Sequence, residues 1–592
     1  MTSRKPSGNA WDTIVIGAGL GGLTTAAYLA ANGQRVLVVE QYDVLGGSSH
    51  VFRRKRQWEF EVGVHYIEDA GPGGMMPHVL EGLGLADRVE FLPLDPNGFD
   101  TIIGPDVELR TPRGWDAYRD NLVAAFPTER RAIGRYLALA QAAARAGNRT
   151  APAFGSAPRM LAAAGIAAPF FFMPYAAVLV ACGLSPRAIL TLCAQSGAYT
   201  STPDAAPFGM HVSYMADGIS RGAWFPRGGG QVLSANLYQF LTAHGGQVRT
   251  NTVVEKILTE SGRVAGVRLV GGEVLRAPVV VSDADIKRTY LELLDPEVLP
   301  RHVAMRAQHF KMGWPLMNTY FGLELDLRGT TNTNYYVIPS WEKAANLYRL
   351  TRYAPDLISR AHKRPRKDWV DDFSDNMAAF IHSGTVRDPE NPRTAPPGCA
   401  SVEAMTMVPR DPALWGIEKY GDFDRGYRRE PVYRDLKSRL TDVMLDRIDR
   451  AYPGARAQVL WSEAASPATQ TRYTRSSGGS SFGLAVRPSQ YGPTRPGSRT
   501  AIPGLFLAGT STRWGPGTTG AMLSGVKAAG AILSRDLDAE IHAGAVYGDA
   551  SRLKPLDDDW DPLAASRRIG KNGAATEPED DADPVVLGTH RA

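Results

Sequence analysis

Thr13-Ile14-Val15-Ile16-Gly17-Ala18-Gly19-Leu20-Gly21-Gly22, followed by a helical run and then Val36-Leu37-Val38-Val39-Glu40, is the stretch that decides the fold. Four β-branched residues predict a short buried strand from Thr13 to Ile16, and Gly17 permits the sharp turn out of it. Gly19 removes a side chain where a pyrophosphate must approach backbone, and Gly22 lets the next helix pack tightly on the strand. The unsatisfied N–H groups of that helix's first turn then face the phosphates. Val36 to Val39 reads as the second parallel strand, and Glu40 at its end is placed to accept hydrogen bonds from ribose hydroxyls. A glycine fingerprint alone is weak evidence. Strand, helix, strand and acid in register predict a bound adenine dinucleotide.

Two further glycine-rich stretches narrow the choice. Gln41-Tyr42-Asp43-Val44-Leu45-Gly46-Gly47-Ser48-Ser49 follows Glu40 at once, and Gly63-Val64-His65-Tyr66 lies shortly after. At the far end, Ile502-Pro503-Gly504-Leu505-Phe506-Leu507-Ala508-Gly509-Thr510 reads as a turn and a buried strand. Gly515-Pro516-Gly517-Thr518-Thr519-Gly520-Ala521-Met522 then opens a final helix running to Leu533. Together these motifs resemble the flavoprotein oxidoreductases of the phytoene desaturase, carotenoid isomerase and retinol saturase superfamily, which share an amine-oxidase-like fold. The resemblance spans Trp11 to about Ser534, specific at both ends and from Pro226 to Asp283, looser elsewhere. It implies non-covalent FAD held by Gly17, Gly19, Gly22, Glu40, Gly46, Gly47 and Ser48 at one end. At the other end it implies Gly509, Thr510, Thr519, Gly520 and Met522, and from the middle of the chain Val254, against the adenine side. Ser282-Asp283-Ala284 stands where relatives often carry asparagine-alanine, a modest departure.

The fold class expected is α/β: a Rossmann-like FAD-binding domain with a parallel sheet and β-meander, plus an interleaved α+β substrate domain. The FAD-binding domain is expected over 11–97, 226–290 and 467–545, and the substrate domain over 98–225 and 291–466. Tails at 1–10 and 546–592 are expected to be disordered, the second because it is rich in charge, proline and small residues. Helices are expected at Met75 to Gly84, Trp115 to Ala144 (two) and Val232 to His244. Five short β-pieces between Gln247 and Val281 are read as one antiparallel layer.

Composition fits and excludes. The 592 residues can bury a large core; 44% are hydrophobic and 21% charged, ordinary for a globular protein. A formal charge of +5 is small for this length and points to no nucleic-acid partner. The three cysteines, Cys182, Cys193 and Cys399, are scattered, which argues for a reducing compartment and against a dithiol reductase. Met1 to Ala10 lacks an apolar run, so no signal peptide is read there, and a cytoplasmic location is expected. Ile166 to Leu184 carries no charge, but Pro169 and Pro174 interrupt it and a span would split the nucleotide domain. A wall of the substrate pocket is the plainer reading, and peripheral contact with a membrane the sharper one. Arg53-Arg54-Lys55-Arg56 reads as a solvated hairpin tip, or as a site for lipid headgroups or a nicotinamide phosphate.

No H-E-x-x-H, nucleophile elbow or metal-spaced cysteine–histidine cluster is present. Gly515 to Gly520 matches G-x-G-x-x-G by spacing, but no strand ending in an acid follows, so a second dinucleotide unit is absent. The electron partner is therefore expected to be the substrate itself, O2, a quinone, or NAD(P)H bound transiently in the same cleft. The resemblance implies apolar polyene or isoprenoid substrates such as carotenoids and retinoids, with desaturation, saturation or isomerisation of C=C bonds. His65 is the proton-transfer candidate, although it also reads as an ordinary hydrogen-bonded histidine at a strand end. A flavin amine oxidase and a non-catalytic prenyl-lipid-binding protein are the alternatives.

Overall fold

The computed structural model describes residues 11–148, 152–341, 369–371, 374, 378–421, 426–557 and 559–569. Its nucleotide-binding half is built on a five-stranded parallel sheet. The strand order is Leu505–Leu507, Val279–Ser282, Thr13–Ile16, Val36–Val39, Gln247–Arg249. Thr13–Ile16 is central, paired with Val279–Ser282 on one side and Val36–Val39 on the other. Ile14, Val15, Val38 and Val280 are fully buried, as expected for strands covered on both faces. Helix Leu20–Ala31 packs along helix Thr518–Leu533 so closely that a Cβ on Gly525 would lie 2.7 Å from the Gly21 carbonyl oxygen. Two segments almost five hundred residues apart thus meet backbone to backbone.

The expected antiparallel layer is smaller than the sequence suggests. Gln247–Arg249 and Val279–Ser282 join the parallel sheet, and only Val254–Glu260, Arg263–Leu269 and Val274–Arg276 form an antiparallel meander. The reason lies in the burial pattern. Val279–Ser282 is almost wholly buried, whereas Arg263–Leu269 alternates and so has one solvated face.

The second half is a seven-stranded sheet ordered Val459–Ala465, Leu316–Leu323, Ala400–Met407, Ala379–His382, Asn334–Val337, Asp100–Ile103, Glu108–Thr111. One face carries Phe321, Val402 and Ala404 against Leu436, Leu440 and Met444 of helix Pro431–Ala451. The other presents Leu316, Tyr336, Phe380 and Met405 to a cluster shared with helices Arg130–Gly147 and Phe208–Arg221. Leu316–Leu323 is buried at every position because both faces are covered.

One expectation fails outright. The tail is folded against the nucleotide domain over 546–557 and 559–569 rather than disordered; position 558, the remainder of that tail, and residues 1–10 lie outside the described residues. Asp561 accepts two hydrogen bonds from the Arg53 guanidinium (2.6 and 2.8 Å), and Leu563 packs with Val44 and Val51. The amide of Leu45 donates to the Ser566 carbonyl (3.0 Å), and Thr250 and Ile569 exchange backbone and hydroxyl contacts. Average polarity misled here because a few apolar residues at the right spacing suffice to anchor a strap.

Candidate functional site

Both glycine turns open onto one cavity of about 1090 Å³. That exceeds the roughly 300–1,000 Å³ of an ordinary ligand pocket, so it has room for a cofactor and a substrate together. Gly17 and Gly19 line one end with Glu40, Gly46, Gly47 and Ser48; Gly509, Thr510 and Thr519 enter from the C-terminal turn, and Val254 from the meander. Gly22, Gly520 and Met522 do not line it. Gly22 serves packing instead, since a Cβ there would lie 2.3 Å from the Gly17 carbonyl oxygen, and Met522 is fully buried in the core beneath the parallel sheet.

The cradle is made by backbone approaching backbone. Gly46 holds φ of +114°, a region open essentially to glycine, and a Cβ on Gly47 would come within 3.2 Å of Gly19 Cα. A Cβ on Gly21 would lie 2.5 Å from the Gly509 amide nitrogen, so the first and last turns close on each other. Glu40 is 8% exposed; the amides of Ala18 and Tyr42 donate to its two oxygens, each at 2.8 Å. Burial pushes its carboxyl up, and those amides oppose the shift. Each oxygen keeps a further lone pair for a ribose hydroxyl. Asp283 sits against Gly19, Gly21 and Gly509, and burial, opposed by the amides of Gly22 and Gly19, pushes it up to about 7. Arg495, almost fully buried, donates to the carbonyls of Leu484 and Thr510 (3.0 and 2.7 Å) and ties the C-terminal turn to the loop before it.

The far end of the cavity is apolar and aromatic, lined by Tyr66, Tyr214, Tyr336, Phe380, Met405 and Phe482. The Tyr66 hydroxyl bonds those of Tyr214 and Tyr336, and burial raises all three phenols well above their ordinary value, so they stay neutral. His65 lines the same end. Its Nδ1 lies 3.6 Å from Glu403 Oε2, and His382 Nε2 is 3.2 Å from the same oxygen. Burial and the neighbouring His382 hold His65 down to about 3, so it is neutral. Sequence reading found His65 but not Glu403 or His382. The signal was Glu403 itself, a charge inside the apolar run Ala400 to Met407, where an ionisable residue is rarely buried without partners.

Of the basic run, Arg53 pairs with Glu59 (2.7 Å) and Asp561, and Arg54 with Glu463 (2.7 Å). Lys55 and Arg56 are at the exposed turn between Val51–Arg54 and Trp58–Glu61. No helix among the described residues is long and apolar enough to cross a membrane.

A parallel-sheet dinucleotide cradle closed by a distant C-terminal turn, with a mixed seven-stranded sheet and an aromatic cavity beside it, defines a flavoprotein oxidoreductase. The chain matches the flavin containing amine oxidoreductase family over residues 20–314 and 401–533, and it belongs to that family. It is 26% identical over 580 residues to all-trans-retinol 13,14-reductase of Danio rerio, covering 91% of this chain and 88% of that protein. It is also 26% identical over 553 residues to the phytoene desaturase (lycopene-forming) of Pseudescherichia vulneris, covering 89% and 99%. Among solved structures, an oxidoreductase from Methanosarcina mazei superposes with a TM-score of 0.59 at 17% identity, over 88% of this chain and 100% of that one. The flavin implied by the family fits: the close-packed glycines leave backbone bare along one wall, and the cavity continues to the aromatic end.

Proposed function

We propose that the chain is an FAD-dependent oxidoreductase that adds, removes or relocates hydrogen at C=C bonds of a long apolar polyene or isoprenoid lipid, of the carotenoid or retinoid class. The observation that carries this is the single continuous cavity, backbone-lined at the dinucleotide cradle and aromatic at its far end. The names of the two relatives support the substrate class. FAD, held by the cradle, supplies hydride transfer. The chain's own residues bind the dinucleotide through bare backbone, exclude water with Phe380, Met405 and Phe482, and place His65 where a proton must come or go. With one dinucleotide-binding unit, the electron partner, whether lipid, O2, a quinone or NAD(P)H, enters the same cleft.

The substrate reaches it from a lipid surface. Ile166, Met173 and Val180 are 66%, 38% and 61% exposed on one short segment, while Phe171 and Tyr175 beside them are buried in the wall of the substrate half. That is the pattern of a shallow monotopic contact.

The test is anaerobic mixing of oxidised and reduced holoprotein with retinoids, carotenes and amines, followed by mass spectrometry of the products. A polyene that gains or loses two hydrogens as the flavin changes colour is the expected result. Bleaching by an amine alone would replace this reading with an amine oxidase, and a colourless protein that refuses added FAD would replace it with a lipid carrier.

A further inference from the structure

Behind the cavity wall, side chains from three remote parts of the chain converge. His382 and Glu403 are cross-strand partners in the seven-stranded sheet, and His65 comes from the turn after strand Trp58–Glu61. Glu403 Oε1 accepts from the Glu61 amide (2.7 Å), while Oε2 lies between the two imidazoles. His382 and Glu403 are 0% and 1% exposed at the side chain; His65 alone keeps 11%. That exposure excludes Nδ1, which is sealed from solvent and has no hydrogen-bond partner among the described residues. The His65 ring therefore turns one nitrogen inward to Glu403 and another edge to the cavity.

We propose that Glu403 and His65, 3.6 Å apart at Oε2 and Nδ1, pass a proton from the buried carboxyl to the reacting carbon of the substrate as the two side chains close together, with His382 as a positioning residue that holds Glu403. This deepens, and rests on, the function proposed above. The groups facing Glu403 are His65, His382, Glu61, Tyr320 and Arg387. Burial pushes Glu403 up to about 7 and keeps both histidines low; Arg387 and His65 oppose the rise on Glu403, and Arg387 further disfavours imidazolium. Burial and Glu403 push Glu61 well up, and Tyr320 is neutral. An imidazolium–carboxylate pair is therefore disfavoured here, and below about pH 7 the proton resides on the carboxyl.

In the reducing direction His65 Nε2 gives its proton to one carbon of the C=C bond; reduced FAD, when held by the glycine cradle, would supply hydride to the other. The Glu403 O–H proton moves to Nδ1. On the proton side one N–H and one O–H bond break and one C–H and one N–H bond form; His65 ends neutral with its tautomer reversed, Glu403 ends as the carboxylate, and the second C–H bond is the one hydride forms. No buried cation is created, which is why a histidine held this low still works as an acid. The reverse sequence serves desaturation.

Two imidazoles and a carboxylate within 4.8 Å also match the donor set of a transition-metal site, but the Arg387 charge beside them opposes a dication. The experiment uses FAD-loaded protein and two readouts. Asp283 also titrates near 7, so the expected signature in pH-difference infrared spectra is the component of the protonated-carboxyl band that is lost in Glu403→Gln, kept in Glu61→Gln and Asp283→Asn, and shifted in midpoint by His65→Asn. In single turnovers of reduced protein with a polyene, the wild-type rate should fall as pH rises through that midpoint. Glu403→Gln should lose the dependence and slow on the order of 100-fold with unchanged flavin spectrum. His382→Asn should move the midpoint. Absence of the band, an unaltered pH profile in Glu403→Gln, or one equivalent of tightly bound zinc or iron lost in His65→Asn would each overturn the relay. A band present with no polyene turnover would instead overturn the proposed function, and the relay with it.

Discussion

Glu40 shows how one side chain can do two jobs. Its oxygens hold the amides of Ala18 and Tyr42, fixing the glycine turn, and the residue also lines the cavity. Glu40→Ala leaves two amides without acceptors, a loss of about 1–3 kcal/mol for a buried donor. FAD affinity in a fluorescence titration should drop by roughly 10–100-fold; unchanged binding would remove Glu40 from the cradle. Asp283 makes a pH prediction. Its carboxyl rises from an ordinary 3.8 to about 7 in the fold. A raised pKa contributes stability that is fully present below about 3.8 and is lost as pH climbs through about 7. Thermal stability of the FAD-free protein should therefore fall between about pH 4 and 7 more in the wild type than in Asp283→Asn. Parallel curves would show that Asp283 ionises freely.

At the scale of elements, Thr13–Ile16 and Val36–Val39 of the parallel sheet were legible because their signals are local: a buried four-residue strand, a glycine turn, a helix, an acid. Gln247–Arg249 and Val279–Ser282, lacking such flanking signals, were read into the antiparallel layer. The C-terminal turn carried the same kind of signal. The strap from Val546 to Ile569 did not, because its anchors, Asp561, Leu563 and Ser566, are sparse among polar residues and act on partners hundreds of positions away. The histidine–glutamate cluster was hidden for the same reason: strand pairing of Ala379–His382 with Ala400–Met407, invisible in a single chain's text, brings His382 to Glu403. The strap gives a prediction of its own. Leu563 is 6% exposed among Val44 and Val51, so Leu563→Ala should cost about 2–4 kcal/mol by cavity formation. Deleting 546–569 should lower the melting temperature further and speed FAD release. A deletion protein that melts like the wild type would show that the strap merely lies on the surface.

For the whole molecule, the proposed lipid contact rests on the exposed apolar edge at Ile166, Met173 and Val180. Replacing all three with serine should reduce co-flotation with phospholipid vesicles and slow turnover of vesicle-dissolved polyene, while leaving turnover of detergent-dissolved polyene unchanged. Equal flotation of variant and wild type would place substrate entry elsewhere.

The order of the parallel sheet has a consequence for the protein's birth. Thr13–Ile16 gains one neighbour from Val36–Val39 soon after it leaves the ribosome, but its other flank waits for Val279–Ser282, and the outermost strand, Leu505–Leu507, is made last. Helix Leu20–Ala31 likewise stays without its partner until Thr518–Leu533 emerges. Such long-range closure is slow and leaves sticky edges bare during synthesis. The nascent chain should depend on chaperones for most of its translation.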